Sequence, residues 1–229
     1  MTTYAPRSRA DQLKSEQENY GFEYAYHLMA KAAGIDMSEC RLLEENARAH
    51  FMTRRFDREV INGKTIKHHA QTLCAMDHLD FKQRGTHSYA QLFMVVSRLH
   101  LGDGALEQVF RRMAFNVMAR NCDDHPKNFA FRLEQEGNWE LAPAHDVTHA
   151  HAYNPKGEWT YQHLMSVDGR FKEIARADLM LEADRFGVSR PGDLLEDVRT
   201  ALESWPEFSK DAGLSDSVSG RVAADFRLL

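Results

Sequence analysis

Residues 111–131, RRMAFNVMARNCDDHPKNFAF, decide how the rest of the chain is read. Leu106, Val109, Phe110, Met113 and Val117 recur at helical spacing and predict an amphipathic helix ending near Arg120. NCDDHPKN, residues 121–128, breaks that period, because its proline and clustered polar residues mark a loop. FAFRL and WELAP follow as two short strands around EQEGN and lead to His145-Asp146. A helix thus delivers a loop holding two carboxylates, an imidazole, an ammonium and an amide, and a hairpin leaves it. A solvated turn capped by its own Asx side chains is the plain alternative. Against it, Asp123, Asp124, His125 and Lys127 are costly to gather beside an apolar helix and the apolar FAF.

Upstream, Phe22, Ala25, Leu28, Met29, Ala32 and Ala33 also keep helical spacing, and Gly34 stands where a C-terminal cap belongs. CRLLEE and AHFMTRRF read as strands joined by a turn near Asn46. EVI and KTI flank Asn62-Gly63, a strong hairpin signal. Ser88 opens the helix SYAQLFMVVSRLHL, which stops at Gly102, and Asp103 is placed to cap the next one. Toward the C-terminus, ADLMLEADRFG, LLEDVRTALESW (ended by Pro206) and a segment from about Ser217 predict three helices. The pattern predicts a mainly α fold with small β-hairpins, of the α+β class. Residues 1–17 read as a disordered N-terminus and 18–229 as one domain, with 18–70 holding a helix and hairpins and 71–229 a helical lobe.

Composition agrees with a folded, helix-rich domain. The 229 residues include 13 glycines and six prolines, fewer breakers than usual. The net charge of −5 argues against direct nucleic-acid binding, which needs a basic surface. No apolar run is long enough to span a membrane, and the N-terminus lacks the apolar core of a secretory signal. Cys40, Cys74 and Cys122 are odd in number and lack CxxC spacing, which predicts reduced thiols in a cytoplasmic protein. Cys122 stands in the polar loop, but two adjacent carboxylates disfavour its thiolate and a nucleophilic role. His68-His69 lies in a polar stretch and is predicted exposed.

Asp123 and Asn128 have the D-x-x-x-x-N spacing of protein-kinase catalytic loops. There the aspartate accepts the proton of the substrate hydroxyl and the asparagine holds a metal on the nucleotide phosphates. A second metal carboxylate follows a short hairpin in such enzymes, and Asp146 has that place. Phosphoryl transfer depends on positioning and charge neutralisation, so hard oxygen ligands and a nearby cation suffice.

The block RRMAFNVMARNCDDHPKNFAF with WELAPAHDV resembles the HipA-like serine/threonine kinases, the toxin kinases of bacterial toxin–antitoxin systems. FEYAYHLMAKAAGI and HFMTRRFDR resemble two further blocks of that family, in its order. The combination N-x-D-D-H-x-K-N, A-P-x-x-D and R-F-D-R carries the likeness, which implies the C-terminal lobe of a protein-kinase-like fold. It implies Asp123 as catalytic base and Asn128 and Asp146 as Mg²⁺ ligands. His125 and Lys127 would lie near the phosphates of ATP, and Arg54, Arg55 and Phe56 on the hinge facing adenine. His145 replaces the usual tyrosine and Arg54 a frequent glutamate. The likeness further implies a HipB-like DNA-binding antitoxin as partner and a translation-related protein substrate, such as an aminoacyl-tRNA synthetase.

The phosphate-covering loop and ATP-binding lysine of the family have no counterpart here. Gly102-x-Gly104 lacks a third glycine, and Lys14 lies in RADQLKSEQEN, which does not read as a strand. This predicts a kinase lobe that is inactive alone and completed by an N-terminal lobe, on the same or a separately encoded polypeptide. Two rivals stay open at this point. A non-catalytic or split-kinase module would use Phe51, Met52 and Phe56 as an interface, although ordinary hairpin packing explains those residues equally well. A metal-dependent HD-type phosphohydrolase would use His145-Asp146 with His149, His151, His163 and Asp123, Asp124, His125.

Overall fold

Tyr26 shows how the chain is assembled around residues 111–131. Its ring lies edge-on to Phe115 and Trp205, and its hydroxyl donates to the carbonyl of Ala119 at 2.6 Å. Three distant segments thus meet where the central helix gives way to the polar loop. The computed structural model describes residues 9–45, 48–135, 137–151 and 160–229.

Helix α1 (Arg9–Ala32) starts well ahead of Phe22. Residues 9–17 of the segment expected to be disordered are therefore helical, and residues 1–8 lie outside the described residues. Gly34 ends the helix with φ +76°, a conformation in which a Cβ would also sit 2.9 Å from the Arg111 guanidinium. That guanidinium donates to the Ala33 carbonyl at 2.7 Å and pairs with Asp197. Strands β1 (Cys40–Glu45) and β2 (Arg48–Thr53) pair antiparallel with Leu42 opposite Phe51, and both pack on α1. The predicted turn at Asn46 lies outside the described residues. Leu43 and Met52 are exposed, Phe51 is half-buried. Strands β3 (Arg58–Ile61) and β4 (Lys64–Lys67) form the hairpin predicted at Asn62-Gly63, where both residues have positive φ.

Strand β5 (His69–Thr72) begins a three-stranded antiparallel sheet and is followed by the short helix α2 (Leu73–Met76). The division expected at residue 70 falls inside β5. His68 is buried, against the expectation of exposure, and its Nε2 lies 3.4 Å from Glu59; His69 is exposed as expected. His68 immediately precedes β5, whose partner strand β7 lies far along the chain and leaves no mark on the local polarity. Strand β6 (His87–Ser88) leads into α3 (Tyr89–Arg98), where Ser88 and Gln91 form a reciprocal capping box. Helix α4 (Asp103–Met118) follows; its N-cap is Gly102, so Asp103 is its first residue rather than its cap.

Pro126–Asn128 form one 3-10 turn, after which β7 (Ala130–Leu133) enters the centre of the sheet between β5 and β8 (Trp139–Leu141). Strand β9 (Met165–Ser166) pairs in parallel with β6. Helices α5 (Arg176–Arg185), α6 (Pro191–Glu203), α7 (Trp205–Asp211) and α8 (Asp216–Ala223) complete the chain. The helix expected to end by Pro206 does so, at Glu203, but helical structure resumes as α7, with Pro206 in its first turn, where its missing N–H costs nothing. The core lies where α4 meets α3 and α6, and where α1 meets α6 and α7. Among the described residues no helix is long and apolar enough to cross a membrane.

Candidate active site

Helix α4 ends beneath the polar loop, and the exit is anchored on both sides. Arg120 turns the chain with φ 59°, and the Asn121 N–H donates to the Asn116 carbonyl at 3.0 Å. Cys122 N–H donates to the Ala150 carbonyl and Ala150 N–H to the Arg120 carbonyl. The chain just after Asp146 therefore runs beside the entry to the loop. Beyond the loop, the Ala142 N–H donates to the Ala130 carbonyl and the Ala144 N–H to the Asp36 carbonyl, bringing His145 and Asp146 back to it.

The two adjacent carboxylates have opposite environments. Asp124 is 1% exposed, and both of its oxygens are occupied. Oδ1 accepts from the Leu164 N–H at 2.7 Å; Oδ2 accepts from the Tyr89 hydroxyl at 2.8 Å and lies 2.9 Å from His163 Nδ1. Asp123 is half-buried, and its nearest ionic neighbour is His125 Nε2 at 3.9 Å. Burial raises its carboxyl above the ordinary aspartate value, with His125 opposing and Asp146 and Asp124 adding to the rise. A carboxylate so placed is a stronger proton acceptor than one in water.

Asn128 donates from Nδ2 to the Asp123 carbonyl at 2.9 Å, which leaves Oδ1 as the acceptor end of the amide. Asp146 is exposed and adopts φ 55°, a left-handed conformation tolerated best by Asp and Asn outside glycine. Its charge raises both Asp123 and Glu23 of α1, in each case behind the larger effect of burial. Asn128, His145 and Asp146 line one cleft with Asp124 and Arg112. An amide oxygen, a carboxylate and an acidic surround fit Mg²⁺, which binds through few protein oxygens and completes its shell with water and phosphate. Under the cleft, buried Arg112 donates to the Ala142 carbonyl at 2.9 Å. Burial lowers its guanidinium to about 10, with Asp36 opposing.

The other expected site residues are only partly brought to this centre. His125 caps the 3-10 turn, its Nδ1 accepting from the Lys127 N–H at 3.2 Å. Lys127 is exposed, with Nζ 3.2 Å from the centroid of the Phe81 ring. Phe56 stacks obliquely on His145 at 5.5 Å, which joins the R-F-D-R segment to the cleft. Arg54 pairs with Glu39, and Arg55 makes two 2.7 Å bonds to Asp57, so both guanidinium groups are engaged outside the cleft.

The histidines weighed as HD-type metal ligands disperse. His163 faces Asp124, and His149 and His151 face Asp225 of the C-terminal tail. Among the described residues no three His, Cys, Asp or Glu side chains converge to hold a metal. Sequence reasoning missed Tyr89, Asn116 and the Asp124–His163 contact. Their only signal was the doubled aspartate, which gives no hint of a partner so far along the chain.

The family model of the HipA-like C-terminal domain matches residues 5–206. A search of curated protein sequences finds no match. Among solved structures, the chain resembles HipA of the Shewanella oneidensis MR-1 toxin–antitoxin system, seen with HipB and its operator DNA, at a TM-score of 0.65 and 18% identity. The likeness covers 90% of this chain and 53% of that one, so the chain spans about half the length of that HipA. The Helicobacter pylori proinflammatory kinase CtkA is similar at a TM-score of 0.55 and 10% identity, with coverage of 91% and 84%. At these identities the likenesses concern the fold.

Proposed function

Because the chain belongs to the HipA-like C-terminal domain family, we propose that it is the catalytic lobe of a serine/threonine protein kinase using ATP and Mg²⁺. The observation that carries this reading is the half-buried carboxylate of Asp123, with only a 3.9 Å approach from His125, beside Asn128 and Asp146, while its neighbour Asp124 is fully engaged. Asp123 accepts the proton of a substrate hydroxyl as that oxygen attacks the γ-phosphorus; the bond to the bridging oxygen of ADP breaks. Asn128 and Asp146 would hold Mg²⁺, which would supply charge neutralisation on the phosphates. Lys127 and His125, next to Asn128 in the loop, add positive or donor groups toward the phosphates, and Phe56 with His145 forms an aromatic wall on the nucleotide side.

The phosphate-covering loop and the ATP lysine come from another lobe, on the same or a separate polypeptide. Without it, residues 1–229 bind ATP weakly and do not autophosphorylate. A HipB-like antitoxin is the partner suggested by the Shewanella complex.

The test is transfer of labelled γ-phosphoryl groups to protein serine or threonine by the chain together with its completing lobe. Asp123→Ala is expected to lower the rate by about 10²–10⁴-fold while leaving the fold intact. Full activity in that variant would remove Asp123 as the base.

A further inference from the structure

We propose that Asp124 and His163 are a positioning pair that holds the catalytic loop against the chain leading into β9 and leaves Asp123 as the available carboxylate. The inference rests on the kinase reading for its consequence, but its geometry is independent of it. Asp124 and His163 are each 1% exposed and lie 2.9 Å apart, Oδ2 to Nδ1. The Leu164 N–H reaches the other oxygen of Asp124, so one short stretch grips the carboxylate at two points.

The grip extends in both directions. Tyr89, the first residue of α3, donates to Asp124 and accepts from Asn116 Nδ2 at 2.9 Å. Asn116 in turn accepts from Asn121 Nδ2 at 3.0 Å, at the entry to the loop. Immediately after Leu164, β9 pairs with β6, and Ser166 Oγ donates to the His87 carbonyl at 3.3 Å. Loop, α3, α4 and β9 are thereby closed into one buried circuit. Displacing His163 would free Asp124 to turn outward beside Asp123. A shift of about 1 Å in a catalytic group can cost 10²-fold in rate.

The test uses the completed kinase and four variants. His163→Leu removes the donor, while His163→Asn places an amide nitrogen where Nδ1 stood. Tyr89→Phe removes a single hydroxyl, and Asp124→Asn/His163→Leu removes both halves of the pair. Per folded molecule, His163→Leu should lower kcat by about 10²-fold with the KM for ATP nearly unchanged. His163→Asn should recover most of the loss, and the double variant should be no worse than His163→Leu, as expected for residues acting as a unit.

Wild-type kcat in His163→Leu, or a loss confined to KM, would overturn the proposal. Where His163→Leu does not fold, Tyr89→Phe decides: a severalfold fall in kcat supports the circuit and an unchanged kcat overturns it. Absence of phosphoryl transfer by the wild-type protein would instead sink the kinase reading. The pair is then judged by amide hydrogen exchange in residues 121–128. Faster exchange in His163→Leu but not in His163→Asn supports the positioning role, and unchanged exchange in His163→Leu overturns it.

Discussion

Unfolding should release a proton from His163 across the neutral to alkaline range, and stability should fall accordingly. Burial alone would discharge this ring, but Asp124 more than compensates, with Cys122 adding, and its pKa is pushed up to about 10 from 6.5. The folded protein therefore keeps the imidazolium while the unfolded chain loses it above 6.5. The contribution is fully present below the unfolded value and disappears as pH rises through the folded one. One proton of difference gives a slope of about −1.4 kcal/mol per pH unit. From about pH 7 to about pH 9.5 the loss is about 3 kcal/mol, in the range found for breaking a buried pair. Urea unfolding followed by tryptophan fluorescence can measure it, since Trp205 is buried in the core. His163→Asn keeps a donor toward Asp124 without the titration, so subtracting its pH profile removes the contributions of other groups. Parallel loss of stability in the two proteins over that range would refute a charged His163.

Three further outcomes follow from other parts of the structure. Asp146→Ala should weaken Mg²⁺-dependent ATP binding by the completed kinase about tenfold or more, and calorimetry showing unchanged affinity would remove Asp146 from the metal site. Gly34→Ala should destabilise by about 1–2 kcal/mol, because the left-handed backbone and the Arg111 guanidinium both oppose a Cβ there; a neutral effect in chemical denaturation would mean that the turn relaxes. Ser88→Ala should cost about 1 kcal/mol through loss of the capping box on α3, again read by denaturation.

What was legible in the sequence was what is local. Ser88 caps its own helix three residues on, and Asn62-Gly63 closes its hairpin whatever the rest of the chain does. The loop at residues 121–128 announced itself by polarity against apolar flanks, and the HipA-like blocks supplied its expected chemistry. Elements defined by distant partners left no such trace. Strand β5 is HAQT, without an apolar alternation, and exists because β7 pairs with it. Strands β6 and β9 are two residues each, too short for any period. His163 looked like one more member of a histidine-rich stretch, because nothing near it in sequence shows that Asp124 is its neighbour. Helix α7 was hidden by Pro206, a breaker inside a helix but well suited to a first turn.

The parallel pairing of β6 with β9 also sets an order of events during synthesis. The proposed base, both proposed metal ligands and Tyr89 leave the ribosome before His163, Leu164 and β9 do. Until those later residues arrive, Asp124 has no partner on that side, and burying it would strand a charge. The loop at residues 121–128 can therefore complete its buried contacts only after a contact of long sequence separation forms, a slow class of step in folding. A ribosome-bound chain ending at residue 151 would carry Asp123, Asn128 and Asp146 and still lack the residues that hold Asp124.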